Sequence, residues 1–345
     1  MTTDVARPRS ETALEELLSR PSPDDVAAAG GLEGDLVVLG CGGKMGPSLV
    51  RLARRALDAA GRPGRVLAVS RFSEPGLADR LAADHITVIR ADLLDPAAVQ
   101  ALPDAPHVIL MAGHKFGSTR DPAQTWATNV LLPADAARRY AASRIVAFST
   151  GNVYPLTPVG GGGPTEGDPV GPVGEYAQSA LARERVLAHL SRRNGTPLAI
   201  LRLNYAVEPR YGVLRDLADR VRAGRPVPLA MGHVNVIWQR DANSVAFRAL
   251  ARCAVPPFVL NVTGPETVAV RDLAERFGRR WGVTPTFDGT EADTALLSNA
   301  ARCREMFGPL GTSVEQMVTL VADWVAAGGA SLGKPTRFDE REGNF

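Results

Sequence analysis

Short apolar runs of β-forming residues alternate with longer amphipathic stretches over most of the chain, and this alternation constrains the fold more than any other feature. The apolar runs cover residues 36–40, 65–70, 85–90, 107–113, 144–150 and 198–204. The helical candidates cover residues 46–60, 75–83, 95–102, 121–141 and 174–193. Nearly continuous apolar strands are typical of sheets covered by helices on both faces. The pattern therefore predicts an α/β fold with a doubly wound parallel sheet.

With 345 residues, the chain is long enough for a second, smaller unit beside the sheet. After residue 204 the alternation loosens, and two short candidate strands stand out, VNVIW at 234–238 and FVLNV at 258–262. We predict four parts: a helical extension over residues 1–33, the sheet domain over 34–205, an interleaved α/β lobe over 206–330, and a C-terminal tail over 331–345. The tail is polar and aperiodic, so it is either a free end or an arm onto a neighbouring molecule.

Charge and composition exclude several classes of function. Lys+Arg 39 and Asp+Glu 37 leave a formal net charge of +2 with no basic block, so nucleic acid is not an expected partner. No apolar run is long enough to span a membrane and the N-terminus lacks a signal-peptide core, so we expect a cytoplasmic protein without a membrane partner. Cys41, Cys253 and Cys303 have neither paired nor metal-ligand spacing, and we expect no disulfide and no metal site.

The first strand runs into the loop GCGGKMG, residues 40–46, directly before a helix. Gly40, Gly43 and Gly46 allow a tight turn and a close approach of the backbone to a pyrophosphate, with a helix N-terminus facing its charge. Lys44 and Met45 complete this loop and are predicted cofactor contacts. A glycine triplet in this strand-to-helix position predicts a dinucleotide-binding domain of the Rossmann type.

The ends of the second and third strands bear on which dinucleotide binds. An acidic residue after the second strand favours NAD and an arginine favours the 2′-phosphate of NADP. This chain has Ser70 and Arg71 there, which favours NADP(H) and leaves NAD possible; the alternative is that Arg71 is a solvated surface charge. After the third strand, Asp92 and Leu93 are predicted to contact the adenine, unless Asp92 caps the following turn.

The order of several motifs resembles the extended short-chain dehydrogenase/reductase family, in its NAD-dependent epimerase/dehydratase group, over roughly residues 35–328. VILMAGHKFG at 108–117 is similar to that family's fourth strand and active-site loop, which implies that Ala112 and Gly113 contact the cofactor. TNV at 128–130 is similar to its helix with a structural asparagine, here Asn129.

The fifth strand and the following helix supply the motifs that imply catalysis. FSTGNVYP resembles the family's serine-rich strand end and places Thr150 at its catalytic serine or threonine. GPVGEY resembles the approach to its catalytic tyrosine, here Tyr176. The family has a lysine four residues later, on the same helix face, whereas this chain has Ala180.

Loss of that lysine matters because an adjacent cation favours the phenolate. A phenol near its reference pKa of about 10 is ionised only to about one part in a thousand at pH 7. Three hypotheses remain open. A cation from elsewhere replaces the lysine, with Lys115 the first candidate and His114 the second; or Tyr176 acts as a neutral acid toward a carbonyl; or the chain binds the nucleotide without redox turnover.

The resemblance also implies a hydride transfer at a hydroxyl or keto carbon of a sugar-like substrate, and a homodimer. The cofactor candidate after the sixth strand is Asn204, and the predicted substrate contacts are His114, Tyr154, Tyr205, Arg210, Trp238 and Arg240. For Asn204, Tyr205 or Arg210 taken singly, a place in a proline-terminated loop is the simpler alternative, and for His114 it is a solvated loop side chain. Trp238 suits a core position and Arg240 could pair with Asp241. Asp241 is predicted to cap a helix that begins at Ala242.

Overall fold

The computed structural model describes residues 7–334 and 336–345, and its centre is a seven-stranded parallel sheet. The strands of the chain are β1 Leu36–Leu39, β2 Val66–Ser70, β3 Thr87–Arg90, β4 His107–Leu110, β5 Arg144–Thr150, β6 Thr157–Pro158, β7 Leu198–Leu203, β8 Ala206–Val207, β9 Val227–Pro228, β10 His233–Val234, β11 Ile237–Trp238, β12 Phe258–Val262, β13 Val268–Ala269, β14 Phe287–Asp288 and β15 Thr294–Ala295. The sheet order is β12-β7-β5-β4-β1-β2-β3. The prediction of a doubly wound parallel sheet is confirmed.

Helices flank this sheet and build the rest of the chain. Their bounds are α1 Glu11–Ser19, α2 Pro23–Gly30, α3 Gly46–Ala59, α4 Leu77–Ala83, α5 Pro96–Gln100, α6 Pro122–Trp126, α7 Leu132–Arg139, α8 Gly174–Asn194, α9 Val213–Arg222, α10 Gln239–Arg248, α11 Val270–Trp281, α12 Ala301–Phe307 and α13 Val314–Ala326. The predicted single helix over 121–141 is instead α6 and α7, joined by a π-helical turn over 127–131. This turn contains Asn129, and such turns are frequent at functional sites.

The strand order of the sheet reverses between β1 and β4. These two strands are parallel neighbours, with Leu36 opposite His107 and Leu39 opposite Leu110. On the other side of β1 lies β2, also parallel. In doubly wound folds, the crevice beyond the carboxyl ends of the strands at this point receives the ligand. The loops after β1, β4 and β5 must therefore form the walls of a site.

Strand β12 corrects one prediction, because FVLNV belongs to the central sheet rather than to the lobe. It pairs in parallel with β7, from Phe258 opposite Ala199 to Val262 opposite Leu203. Leu260 and Val262 are buried in the same core as the sheet strands. Its position depends on a pairing partner more than 50 residues earlier, which local periodicity cannot identify.

The lobe has its own hydrophobic core beneath α9, α11 and α13, which includes Trp238, Phe277 and Trp324. VNVIW is not one strand there: β10 pairs with β13, and β11 pairs with β8. The predicted cap was also wrong, since α10 begins at Gln239 and Asp241 lies within its first turn. The carboxylate of Asp241 accepts hydrogen bonds from the Thr312 amide and from Arg240 instead.

Residues 336–345, which we call the closing segment, fold back over their own chain. Phe338 and Phe345 are buried, and Phe338 joins the core of the lobe. The sequence predicted a free end or an arm onto a neighbour; this part of it packs against its own chain. In the part of the chain that the structure describes, no helix has the length and apolarity to cross a membrane, and no cluster of His, Cys, Asp or Glu could hold a metal ion.

Candidate functional site

The loop between β1 and α3 is constrained by close backbone approaches. A Cβ added at Gly40 would lie 2.6 Å from the main chain of Ala112, and one added at Gly46 would lie 2.1 Å from the oxygen of Cys41. Real Cβ atoms do not come so close, so these two positions require glycine. They bring the loop against the end of β4 and turn the chain directly into α3.

Gly43 differs from these two glycines because the protein leaves space beside it. The nearest atom to an added Cβ is the Gly40 oxygen, at 3.8 Å. Helix α3 begins after Met45, whose side chain makes no capping hydrogen bond. The first amides of a helix without such a cap can bind an anion. The open face at Gly43 and this helix N-terminus fit the pyrophosphate of a dinucleotide.

The ends of β2 and β3 are basic. Arg71 is exposed, and Arg90 donates hydrogen bonds to the main-chain oxygens of Arg71 and Phe72. Ser70 lies against Gly42. The two arginines therefore lie together at the carboxyl ends of neighbouring strands.

Asp92 caps a turn, which was one of its two predicted roles. Its carboxylate accepts a hydrogen bond of 3.0 Å from the amide of Leu94. It remains exposed, and the neighbouring Leu93 is buried. The carboxylate is therefore partly committed to the local turn.

Asn129 ties the loop after β4 to α8. Its side-chain oxygen accepts from the amide of His114 at 2.8 Å, and its Nδ2 donates to the oxygen of His114 at 3.0 Å and to the Ser179 hydroxyl at 2.9 Å. Asn129 is completely buried. This network fixes Ala112 to Lys115 relative to the helix that carries Tyr176.

The three residues predicted for catalysis, Thr150, Tyr176 and Lys115, line one cavity of about 160 Å³ at the carboxyl edge of the sheet. We call it the reaction cavity. Lys44 and Met45 of the glycine loop line it as well, together with Asn204 and Tyr205. Thr336 of the closing segment completes the wall.

Thr150 rather than Ser149 presents its hydroxyl to this cavity. The Ser149 hydroxyl donates to the buried carboxylate of Glu184, which also pairs with Arg202. Thr150 Oγ1 accepts from both the amide and the Nδ2 of Asn152, at 3.2 and 3.0 Å. Among the described residues its own proton has no acceptor, so Thr150 can donate to the oxygen of a substrate.

Tyr176 lies in the first turn of α8 and is half-buried, and its hydroxyl has no hydrogen-bond partner in residues 7–334 and 336–345. Ala180, one turn later, has no exposed surface and packs against Val153, Tyr154 and Leu181. The place of the family's lysine is therefore occupied by close packing. A charge beside Tyr176 therefore has to come from a residue other than the one at position 180.

Lys115 supplies such a charge from the loop after β4. Its Nζ lies 5.6 Å from the ring centroid of Tyr176, 5.6 Å from that of Phe116 and 4.0 Å from that of Phe345. Within the described chain it makes neither an ion pair nor a hydrogen bond. Burial lowers the pKa of Lys115 to about 8, an effect to which Arg337 adds and which Glu340 opposes. Close to neutral pH it is still cationic.

Lys44 is the second cation of the cavity. Its Nζ donates to the oxygen of Ala206 at 2.6 Å and lies 4.1 Å from the ring centroid of Tyr211. Burial lowers the pKa of Lys44 to about 7, against the opposing charge of Glu208.

The sequence contains only three lysines, which are Lys44, Lys115 and the exposed Lys334. Two of the three therefore line one cavity, and the scarcity of lysine is the sequence signal that points to them.

Arg183 was missed by the sequence analysis. It follows Tyr176 by seven residues, on the same face of α8, and it is buried. Its Nη1 donates to the oxygen of Ala112 at 3.2 Å, whereas its Nε has no partner among the residues described. Burial lowers the pKa of Arg183, and Tyr176 and Glu184 oppose that shift. The spacing of seven was the signal that could have identified it.

Four predicted substrate contacts are engaged elsewhere in the structure. The Tyr154 hydroxyl is 2.7 Å from Arg202 and 2.9 Å from Asn261, beneath the cavity. Trp238 is buried in the core of the lobe. Arg240 contacts Arg20, Asp25 and Asp241, and Arg210 pairs with Glu15 and Glu208. The contacts of all four residues are therefore structural, because each side chain either pairs with a buried polar group or packs in a hydrophobic core.

Asn204 and Tyr205 do reach the cavity. Asn204 is buried and its Nδ2 donates to the oxygen of Leu296 at 3.3 Å. Tyr205 has a positive φ of 45°, which is uncommon for a residue other than glycine, and its hydroxyl is 3.5 Å from the oxygen of Phe338. This backbone conformation turns the ring toward the closing segment.

Comparisons with known proteins give a family and a fold. Residues 36–240 match the family model described as "NAD dependent epimerase/dehydratase family". No curated protein sequence matches the chain. The matched range contains the glycine loop, Lys115, Thr150 and Tyr176.

Several solved structures have the same fold at low identity. MoeE5, in complex with UDP-glucose and NAD, is 20% identical over 86% of this chain and 99% of its own, with a TM-score of 0.69. UDP-glucose 4-epimerase of Thermotoga maritima, with UDP-glucose, is 16% identical over 85% and 98%, with a TM-score of 0.69. WbmG of Bordetella bronchiseptica, with NAD and UDP, is 18% identical over 89% and 98%, with a TM-score of 0.70.

Proposed function

Because the chain belongs to the NAD-dependent epimerase/dehydratase family, we propose that it is an oxidoreductase or epimerase that acts at a hydroxyl or keto carbon of a nucleotide-linked sugar. The observation that carries this proposal is the convergence of Thr150, Tyr176 and Lys115 on one cavity at the carboxyl edge of the sheet. UDP-sugars in complexes of similar fold support the substrate class. A bound nicotinamide supplies the hydride acceptor or donor, and the protein supplies orientation and proton transfer.

Thr150 and Tyr176 act on the reacting oxygen of the substrate. The Thr150 hydroxyl accepts from Asn152 and keeps its own proton for the substrate oxygen. Tyr176 takes a proton from the alcohol or gives one to the carbonyl, in its role as general base or acid. Both side chains line the same wall of the reaction cavity, as this shared task requires.

Lys115 replaces the charge that the family places at the position of Ala180. A cation within about 4 to 6 Å favours the ionised form of a phenol. The ammonium lies 5.6 Å from the Tyr176 ring centroid and makes no ion pair in the described chain, although the charge of Glu340 partly offsets its field. This is the first of the three hypotheses that the sequence left open.

Arg183 holds the cofactor end of the loop after β4. Its Nη1 is bound to Ala112, and long side chains on a helix extend back toward its N-terminus. Arg183 therefore extends back along α8 toward the turn that contains Ala180. We assign it the positioning of this loop rather than proton transfer.

The basic ends of β2 and β3 favour NADP(H) over NAD(H). Arg71 and Arg90 lie together there, and the neighbouring Asp92 is committed to a turn. A 2′-phosphate gains from a nearby arginine, whereas a free 2′-hydroxyl gains from an acceptor.

A homodimer through the helices beside the sheet is part of this proposal. Trp126 and Leu131 are exposed apolar side chains in the segment that leads from α6 to α7, and Trp126 donates to Glu175 of α8. Light scattering tests the dimer, and Leu131→Asp should shift it to monomers.

A panel of UDP-sugars, each supplied with NAD and with NADP, tests the proposed function. The products are separated by chromatography, because an epimerase leaves no net change in the cofactor. We expect conversion of at least one sugar, and none by Tyr176→Phe. Tight cofactor binding without conversion of any sugar or polyol would contradict the proposal and favour a nucleotide-binding protein without turnover.

A further inference from the structure

The closing segment, residues 336–345, reaches from the lobe to the reaction cavity and is anchored along the way. The Thr336 amide donates to Asp216 of α9 at 2.8 Å. Arg341 donates to the main-chain oxygens of Ala230 and Thr294, at 2.9 and 2.8 Å. These bonds fix the path of the segment on the lobe side.

The other half of the segment contacts the sheet side of the cavity. Gly343 and Gly174 face each other so closely that a Cβ added to Gly174 would lie 2.4 Å from the Gly343 oxygen, and one added to Gly343 would lie 2.7 Å from the Cα of Gly174. Gly174 is the first residue of α8, two residues before Tyr176. The contact brings residue 345 next to the catalytic helix.

Phe345 lies against the loop that follows β4. Its main-chain oxygen accepts from the amides of Gly117 and Thr119, at 3.1 and 3.3 Å. Its ring meets that of Tyr176 edge to face, with centroids 5.7 Å apart and an interplanar angle of 81°. Phe345 is 6% exposed. The backbone of this residue is therefore held by the loop after β4, and its ring is held against Tyr176.

The ring of Phe345 is also the closest aromatic contact of Lys115. Its centroid lies 4.0 Å from Nζ, against 5.6 Å for Phe116 and for Tyr176. A cation over an aromatic face is attracted by the ring's quadrupole. The charged residues that act on Lys115, Arg337 and Glu340, belong to the same segment. The closing segment thus determines both the position and the surroundings of this ammonium.

We propose that the closing segment is part of the active site, and that Phe345 is a positioning residue that holds the Lys115 ammonium beside Tyr176. The catalytic part of this inference rests on the function proposed above. Its structural part, the confinement of Lys115 by Phe345, does not depend on turnover and can be measured separately.

The lysine composition makes that measurement direct. Reductive methylation with ¹³C gives one NMR signal for each of Lys44, Lys115 and Lys334, and Lys334 is an exposed internal reference. In Phe345→Ala, water reaches Lys115 and its desolvation is relieved, so we expect its pKa to rise from about 8 toward 10.5. Arg337, Glu340 and Tyr176 remain as charged or titratable neighbours. Phe345→Tyr keeps both the bulk that excludes water and the aromatic face, so it should hold the pKa of Lys115 near 8. Phe345→Leu keeps the bulk but loses the face that favours the cation, so it should lower that pKa further.

Leu332→Ala is the matched control, since it truncates an exposed apolar side chain outside the closing segment. We expect it to leave all three lysine signals unchanged. An unchanged pKa of Lys115 in both Phe345→Ala and Phe345→Leu would overturn the inference. So would a Lys115 in the unaltered protein that titrates like Lys334.

Kinetics then separate the two proposals. With a sugar that the unaltered protein converts, Phe345→Ala should lower kcat about tenfold or more, and Phe345→Tyr should restore most of it. Normal kcat in Phe345→Ala would remove its role in catalysis. If no sugar is converted but the pKa of Lys115 moves as expected, the proposed function fails while the confinement of Lys115 by Phe345 stands.

Discussion

The glycine loop and the reaction cavity lie at the same edge of the sheet, but their geometry has different origins. In the glycine loop, backbone contacts set the structure: Gly40 and Gly46 leave no space for a Cβ, and Gly43 leaves space for a ligand. In the reaction cavity, side chains from β5, α8, the loop after β4 and the closing segment meet. The first region follows the family pattern closely, whereas the second has Ala180 in place of the family's lysine and has Lys115 near Tyr176.

The difference teaches where the chemistry of such a fold can vary. A cation beside the tyrosine has to lie within a few ångströms of it, but its element of origin is free. Lys115, Lys44 and Arg183 approach this region from three different elements. A substitution such as Lys to Ala at one of these positions can therefore be tolerated, provided that another element supplies the charge.

Tyr176→Phe should give the largest effect. It tests whether side chains in the reaction cavity act in catalysis while the buried ones around it act in stability. Loss of the general acid or base should lower kcat by about 10³-fold without a change in cofactor affinity. Tyr154→Phe is the matched control: it removes a buried hydroxyl bound to Arg202 and Asn261, and should cost about 1 to 3 kcal/mol of stability instead. Turnover assays and urea unfolding of both variants check this. Equal kinetic losses in the two variants would contradict the assignment.

Lys115→Ala tests whether a distant element supplies the charge, and we expect kcat to fall by about 10²-fold. A lysine is cationic below its pKa, so activity should fall as the pH rises through about 8, where Lys115 loses its proton. Lys115→Arg should move this limb of the pH profile to higher pH. Lys334→Ala, in the exposed lysine, should have no effect. If activity survives Lys115→Ala, charge compensation by Lys115 is wrong, and a gain in Ala180→Lys alone would show a weakened family site.

The glycine loop is tested by comparing Gly43→Ala with Gly46→Ala. The Cβ of Gly43→Ala meets open space, so its unfolding temperature without cofactor should be unchanged, while cofactor affinity falls about tenfold because the methyl group takes the place of the phosphate. Gly46→Ala clashes with Cys41 and should destabilise the protein with or without cofactor. Thermal unfolding with and without NAD and NADP measures both. Normal affinity in Gly43→Ala would place the pyrophosphate elsewhere.

The same contrast explains what could be predicted from the sequence. Periodicity and glycine spacing are local, so they predicted the sheet and the glycine loop, whereas Thr150 and Tyr176, which line the reaction cavity, were assigned from the family resemblance. The place of β12, the burial of Trp238 and the path of the closing segment depend on partners far away in the chain, which no local pattern encodes. In the sequence, only a spacing of seven residues along α8 relates Arg183 to Tyr176. The hydrogen bond from Arg183 to Ala112, on which its proposed role depends, is seen only in the structure.

Arg71→Ala should give the smallest effect, because an exposed charge contributes little. An exposed ion pair is worth up to about 1 kcal/mol, so the preference for NADP over NAD should fall by no more than about fivefold. Arg192→Ala, in an exposed arginine near the end of α8, is the matched control and should leave the ratio unchanged. Ratios of kcat/KM for the two cofactors measure the effect, which should shrink further at high salt because exposed charges are screened. The unaltered protein could instead prefer NAD, with a ratio that Arg71→Ala does not change. That result would show that the basic ends of β2 and β3 do not recognise the 2′-phosphate.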